Sequence, residues 1–97
     1  MAERPWQVAP HDPVVRLEQN LWSVRTDLPA GRKGGDRRMV IARRDDGKLV
    51  FYNAAPLDET AMRELATHGT PAYLVLPYNL HMMDGHAFAE RLGLKIY

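Results

Sequence analysis

The feature that most constrains this chain is a turn signal between two segments of strand-like sequence. Residues 39–43 and 48–52 are rich in aliphatic and aromatic side chains, and Arg44-Asp45-Asp46-Gly47 separates them. An Asp-Gly pair suits the positive φ angles that a tight hairpin turn requires. The sequence therefore predicts an antiparallel hairpin at this place.

A helix is predicted directly after the hairpin. Asp58 is suited to be its N-cap, and Leu57 can pack against Met62 as a hydrophobic staple. Gly69 and Pro71 are expected to end the element, because neither residue continues a helix well.

A second strand–helix pair follows in the sequence. Residues 72–76 form a nearly continuous apolar run, which predicts a strand buried on both faces. The next helix has Asp84 as its expected N-cap, a staple from Met83 to Phe88, and Gly93 at its end, and residues 94–97 begin one more strand. This order predicts an α/β fold in which a strand–helix–strand–helix–strand unit, parallel through right-handed crossovers, joins the antiparallel hairpin.

The N-terminal part reads differently from the rest. Residues 1–20 are predicted to be an N-terminal arm and residues 21–97 a single α/β domain, since 97 residues suit one domain. Prolines at positions 5, 10 and 13 block a long helix in the arm, so its first twelve residues are expected to lie on the surface or to pack through Trp6. Residues 21–25 predict a short strand, with Trp22 and Val24 on one face.

Composition excludes several classes of protein. The chain is 45% apolar and 26% charged, which is typical of a globular domain. It has no cysteine, which excludes disulfides, thiolate metal sites and cysteine nucleophiles. The formal net charge of +1 provides no overall attraction for nucleic acid or membrane. With no secretion signal and no membrane-length apolar run, a cytoplasmic location is expected.

The loop after residues 72–76 is the best candidate for chemistry. It places His81, Asp84 and His86 within six residues, after a strand and at the start of a helix. Ligands collect beyond the carboxyl ends of strands in α/β sheets, and zinc favours imidazole together with carboxylate. A position in the first helical turn keeps His86 neutral, which is the form that a metal requires. Zinc is therefore the one cofactor that the sequence raises.

A structural interpretation competes with this zinc site. Asp84 is explained fully as an N-cap, and both histidines can be solvated loop residues. Two histidines and one carboxylate also fall short of a catalytic zinc site unless another ligand joins them.

The chain as a whole resembles the N-terminal half of a metallo-β-lactamase-fold protein, in a branch of uncharacterised hydrolase-like domains. The order and spacing of several segments carry this resemblance over nearly the full length: Leu21-Trp22-Ser23-Val24, Arg38-Met39-Val40-Ile41, Asp46-Gly47-Lys48-Leu49-Val50, Leu57-Asp58-Glu59, and residues 65–77 and 79–88. The resemblance implies half of an αββα sandwich.

The resemblance also implies a degenerate metal loop. In that superfamily the matching strand leads into a His-x-His-x-Asp-His loop that binds two metals. Aligned from the strand, Asn79 takes the place of the first histidine and His81 that of the second, and the next two positions are Met83 and Asp84. Methionine does not replace a hard carboxylate ligand, and the chain ends before the regions that supply the remaining ligands. Complete hydrolase chemistry is therefore not expected of these residues alone.

Two further functions remain open from the sequence. Half of a sandwich would expose a sheet face, which suits a non-catalytic interaction module, either a homo-oligomer or one that binds a missing C-terminal half. A basic patch from Arg32 to Arg44 could bind phosphate or nucleic acid. Acidic residues interrupt that patch and no aromatic residues are interleaved, which favours a solvated loop and hairpin edge over nucleic-acid binding.

Overall fold

The computed structural model of the chain describes residues 6–28, 36–77 and 84–97. It is a mixed α/β structure, as the sequence predicts. The elements in chain order are β1 (Val15–Glu18), β2 (Leu21–Asp27), β3 (Asp36–Arg43), β4 (Lys48–Tyr52), α1 (Glu59–Ala66), β5 (Thr70–Val75), α2 (Gly85–Leu92) and β6 (Lys95–Ile96).

The six strands form one sheet in the order of the sequence, from β1 to β6. The first four strands pair antiparallel, whereas β4, β5 and β6 pair parallel. Parallel neighbours need a crossover, and α1 and α2 supply the two crossovers. The predicted combination of an antiparallel hairpin with a parallel unit is therefore confirmed.

The hairpin between β3 and β4 forms where the Asp-Gly signal predicts it. Ala42 pairs with Val50 and Arg43 with Leu49 across the two strands. Gly47 has a φ of 83° and donates its N–H to the Arg44 carbonyl at 2.9 Å. A residue with a side chain would be strained at this φ, which explains the glycine.

Both helices pack on the same face of the sheet. Arg91 of α2 donates a hydrogen bond to Glu59 of α1, and this bond lowers the pKa of Glu59. Beneath the helices lies one apolar core. Its largest fully buried apolar members come from four strands, both helices and the segment before α1: Trp22, Val24, Met39, Ile41, Leu49, Phe51, Leu57, Leu65, Leu74 and Phe88. Four aromatic residues are expected in the core from the sequence; Trp22, Phe51 and Phe88 are buried there, whereas Tyr73 is half-buried on the other face.

The prediction that residues 72–76 are buried on both faces is wrong. Only Leu74 of β5 is fully buried, whereas Tyr73 and Val75 are half-buried. Successive side chains of a strand point to opposite faces, and both helices cover the face of Leu74. The apolar run therefore reflects one buried face and one partly exposed apolar face.

The segment predicted as an arm is joined to the sheet over part of its length. Residues 15–18 form β1, which pairs with β2, and His11 makes an isolated bridge to Thr26. The ring of Trp6 stacks on Phe88 at 5.8 Å and lies 4.4 Å from the Arg91 guanidinium. Trp6 therefore packs against the domain, which is one of the two arrangements that the sequence predicts for the arm.

The N-cap predicted at the start of α1 is present, and it gives the first test. The Asp58 carboxylate accepts a hydrogen bond from the Ala61 N–H at 2.9 Å. We expect Asp58→Ala to lower the free energy of unfolding by about 1 kcal/mol, because an N–H at the helix start loses its acceptor. Urea denaturation measures this change, with Asp58→Ser as the control that retains a capping oxygen; equal losses in the two variants would contradict the capping role.

Both helices have eight residues. In the part of the chain that the structure describes, no helix is long and apolar enough to cross a membrane.

Candidate functional site

The three residues predicted as metal ligands differ in whether the structure describes them and in how exposed they are. His81 lies outside the described residues. Asp84 is buried immediately before α2, with its side chain 1% exposed, and His86 is the second residue of α2 and is exposed. Residues 6–28, 36–77 and 84–97 contain no group of three or more His, Cys, Asp or Glu side chains that could hold a metal ion.

The Asp84 carboxylate is bound to a buried cation. Its Oδ2 lies 2.7 Å from Nη1 of Arg37, whose side chain is only 5% exposed. The two residues are 47 positions apart in sequence, and the pair joins the first half of β3 to the start of α2. A charge-assisted hydrogen bond of this length between two buried ions is one of the stronger contacts that a protein makes.

Arg37 is held from three directions. Besides Asp84, its Nε donates to Oγ1 of Thr26 at 2.9 Å and its Nη1 to the Ala54 carbonyl at 3.4 Å. The remaining amino group, Nη2, is buried and has no hydrogen-bond partner among the described residues. A guanidinium fixed in this way connects β2, β3 and the segment after β4 to α2.

The structure corrects the interpretation of Asp84 as a side-chain N-cap. Asp84 stands at the N-cap position of α2, and its carbonyl accepts the first helical N–H, from Phe88, at 2.9 Å. Its side chain makes no capping hydrogen bond to the described backbone of α2. The carboxylate turns to Arg37 instead, because a buried guanidinium without a counter-ion costs more than an uncapped N–H.

This pairing also bears on metal binding. Arg37 binds Oδ2 of Asp84, and a carboxylate that ligates a metal commonly keeps such a hydrogen-bonded partner. The zinc site predicted at His81, Asp84 and His86 stays a prediction, since His81 lies outside the described residues.

His11 and His68 have structural roles. The Nε2 of His11 accepts the Asp58 N–H at 3.0 Å, so its Nδ1 carries the proton and donates to the Asp12 carbonyl at 2.8 Å. His11 thus fixes the arm to the start of α1 through its neutral form. His68 stacks on Trp22 at a ring separation of 4.5 Å.

The arginines of the predicted basic patch do not share one surface. Residues 32–35 lie outside the described residues. Arg37 is in the core, whereas Arg38 on the opposite face donates to Oγ of Ser23 at 2.8 Å. Arg43 binds Asn20 and the His68 carbonyl, and Arg44 pairs with Asp46 at 3.2 Å. The prediction of a solvated loop and hairpin edge agrees with the exposure of Arg38 and Arg44, but it is wrong for Arg37, which is buried.

The face of the sheet away from the helices is a second candidate site. We call it the open face, and its central side chains are apolar or aromatic: Val40, Ala42, Val50, Tyr52, Tyr73, Val75 and Tyr97. Tyr52 is 48% exposed and Tyr97 62% exposed. A shallow concavity of about 270 Å³ lies on this face, lined by Arg44, Val50, Tyr73, Val75 and Tyr97.

One pattern in the sequence indicates that Arg37 faces the core. Residues 37, 39 and 41 alternate with 38, 40 and 42, so a strand that starts at Asp36 places Arg37 on the same face as Met39 and Ile41. A cation on a core-facing position requires an acidic partner. The strand predicted from the sequence begins at Met39, so it leaves Arg37 outside the strand and does not indicate that Arg37 needs an acidic partner.

No protein-family model matches this chain, and no curated protein matches it either. The functional assignment therefore depends on the residues and contacts described above.

Proposed function

We propose that this chain is a metallo-β-lactamase-like, hydrolase-related domain with a degenerate metal-binding loop, and that it lacks complete hydrolase chemistry on its own. The observation that carries the proposal is the buried Arg37–Asp84 ion pair at 2.7 Å. It occupies a carboxylate of the loop in which the sequence resemblance expects metal ligands.

The architecture supports the same proposal. The described residues form one layer of two helices and one layer of six strands, and none of their elements covers the second sheet face. This is the arrangement expected of half of an αββα sandwich. A two-metal hydrolase needs several ligands to hold a bridging water, and the described residues gather fewer than three candidate ligands in one place.

Metal analysis tests the proposal. The purified chain, incubated with excess zinc and then desalted, is expected to retain far less than one zinc per chain, since the described residues contain no group of three or more candidate ligands. It is also expected to show no turnover of ester or phosphodiester substrates. His81→Ala and His86→Ala are matched variants that should leave both readouts unchanged. Stoichiometric zinc that is lost in His81→Ala, or hydrolysis by the wild-type chain, would contradict the proposal.

A second candidate function is a non-catalytic interaction or oligomerisation module. The partly exposed apolar residues of the open face favour it, because a soluble domain rarely leaves such a patch uncovered without a partner. The two candidates are compatible, since loss of metal chemistry does not prevent a domain from binding a partner. A cytoplasmic location stays a prediction under both.

A further inference from the structure

The open face carries charges of both signs, at opposite ends of its apolar centre. At the end where β4 begins, the cations of Arg44 and Lys48 lie beside Tyr73, and Lys95 lies on the adjacent edge strand β6, paired with Tyr73. The Arg44 guanidinium lies 5.3 Å from the ring centroid of Tyr73, and the Lys48 ammonium 6.0 Å from it. The Lys95 ammonium lies 5.5 Å from the ring centroid of Tyr97. Asp46 pairs with Arg44, so the three cations and this one carboxylate have a formal net charge of +2.

Among the described residues, the other end of the open face is acidic. Asp12, Asp27 and Asp36 surround Arg25, with N–O distances of 3.0 to 3.2 Å. These hydrogen bonds raise the pKa of Arg25 above its ordinary value, so the guanidinium stays charged. Three carboxylates around one cation leave a formal charge of −2, which becomes −1 when the cross-strand neighbour Arg38 is included.

We propose that the open face binds a second copy of this chain in a two-fold symmetric dimer. A two-fold axis in the plane of the interface, perpendicular to the line joining the charged ends, brings the basic end of each copy onto the acidic end of the other. The apolar centres then cover one another, and each favourable charge contact occurs twice. This proposal rests on the second candidate function and is independent of metal binding.

The same charges argue against a polyanion on this face. The acidic end would repel a nucleic-acid backbone, and cations already lie over the tyrosine rings on which bases would stack.

The contact area also limits the strength of a dimer. Strands about 20 Å long, at spacings of about 4.8 Å, give a six-stranded face of roughly 500 Å² in projection. Stable interfaces bury about 800 Å² per partner, so we expect a reversible monomer–dimer equilibrium.

Analytical ultracentrifugation of the full chain tests the proposal. Over concentrations from about 1 µM to about 1 mM, which span weak to moderate affinities, the wild-type protein should change from monomer to dimer. Val50→Glu places a charge in the apolar centre and should leave only monomer at the highest concentration. Arg63→Glu, an exposed change on α1, is the matched control and should dimerise as the wild type does.

A charge exchange identifies the orientation of the two copies. Lys95→Glu and Asp36→Lys should each weaken self-association by about tenfold or more, because like charges then face one another twice. Mixing the two variants should restore the dimer, since each glutamate then faces a lysine and each native Asp36 still faces a native Lys95. Circular dichroism and urea denaturation check that both variants fold.

Three outcomes would overturn the proposal. The wild-type chain could remain monomeric to the highest concentration, or it could dimerise without sensitivity to Val50→Glu. A monomer that binds single-stranded oligonucleotides in a manner that depends on Lys48 and Lys95 would assign the face to nucleic acid instead. None of these outcomes affects the zinc measurement, so failure of the dimer is distinguishable from failure of the metal-loop proposal.

Discussion

Replacing Asp84 by asparagine is expected to lower the free energy of unfolding by about 3–5 kcal/mol, because it leaves a buried guanidinium without its counter-ion. The side chains of Arg37 and Asp84 are 5% and 1% exposed, so water does not replace the lost partner. Asparagine has nearly the volume of aspartate, which excludes a cavity as the cause. Urea denaturation followed by far-ultraviolet circular dichroism measures the loss.

An exposed ion pair provides the matched control. Arg91 and Glu59 also join two elements through one hydrogen bond, but the Glu59 side chain is 60% exposed. We expect Glu59→Gln to change stability by at most about 1 kcal/mol. If Asp84→Asn lowers the free energy of unfolding no more than Glu59→Gln does, the Arg37–Asp84 pair does not stabilise the contact between β3 and the start of α2.

A double variant separates the charge effect from packing. Arg37→Met combined with Asp84→Leu removes both buried charges together, and buried ion pairs replaced by apolar residues often cost little or even stabilise. The double variant should therefore be more stable than Asp84→Asn alone.

Phe88→Ala is expected to destabilise the chain by about 3–5 kcal/mol, since it removes a fully buried aromatic ring. Phe88 lies edge-to-face with Phe51 at 5.3 Å and stacks on Trp6 at 5.8 Å. A domain of this size has a total stability of about 5–15 kcal/mol, so the loss is a large part of it. Thermal and urea unfolding measure the effect.

The position of Trp6 gives the Phe88 prediction a local readout. Loss of the ring removes the stacking contact of the indole and leaves its contact with the Arg91 guanidinium. The fluorescence of folded Phe88→Ala should therefore change through Trp6, and this change should be absent when Trp6→Phe is added. Leu92→Ala, at a half-buried position of the same helix, is the control and should cost less. Equal losses in Phe88→Ala and Leu92→Ala would contradict the central position of Phe88.

The parts of the fold that sequence predicted well depend on local chemistry. The hairpin at Gly47, the cap at Asp58 and the helix end at Gly93, which has a φ of 70°, each follow from residues within a few positions of one another. The parallel order of the last three strands follows from their alternation with helices.

The parts that sequence missed depend on contacts between distant segments. β1 has four exposed residues, so it shows no buried face that could mark it as a strand. The burial of residues 72–76 depends on which face the helices cover, which a continuous apolar run does not reveal. Asp84 looks like a helix cap because its partner, Arg37, is 47 positions away. The metal site predicted for this region stays a prediction, and the structure adds a charged partner of Asp84 that sequence reasoning missed.

The most direct test of the central claim, that Asp84 binds Arg37 and not a metal, is a zinc titration followed by ¹H–¹⁵N nuclear magnetic resonance at the Arg37 Nε–H. That group donates to Thr26 at 2.9 Å while the same guanidinium binds Asp84, so its signal should be protected and distinct. The account predicts that one equivalent of zinc leaves the signal in place. A saturable shift or loss of the signal at one equivalent would show that zinc binds at the Arg37–Asp84 pair, and this result would contradict the claim.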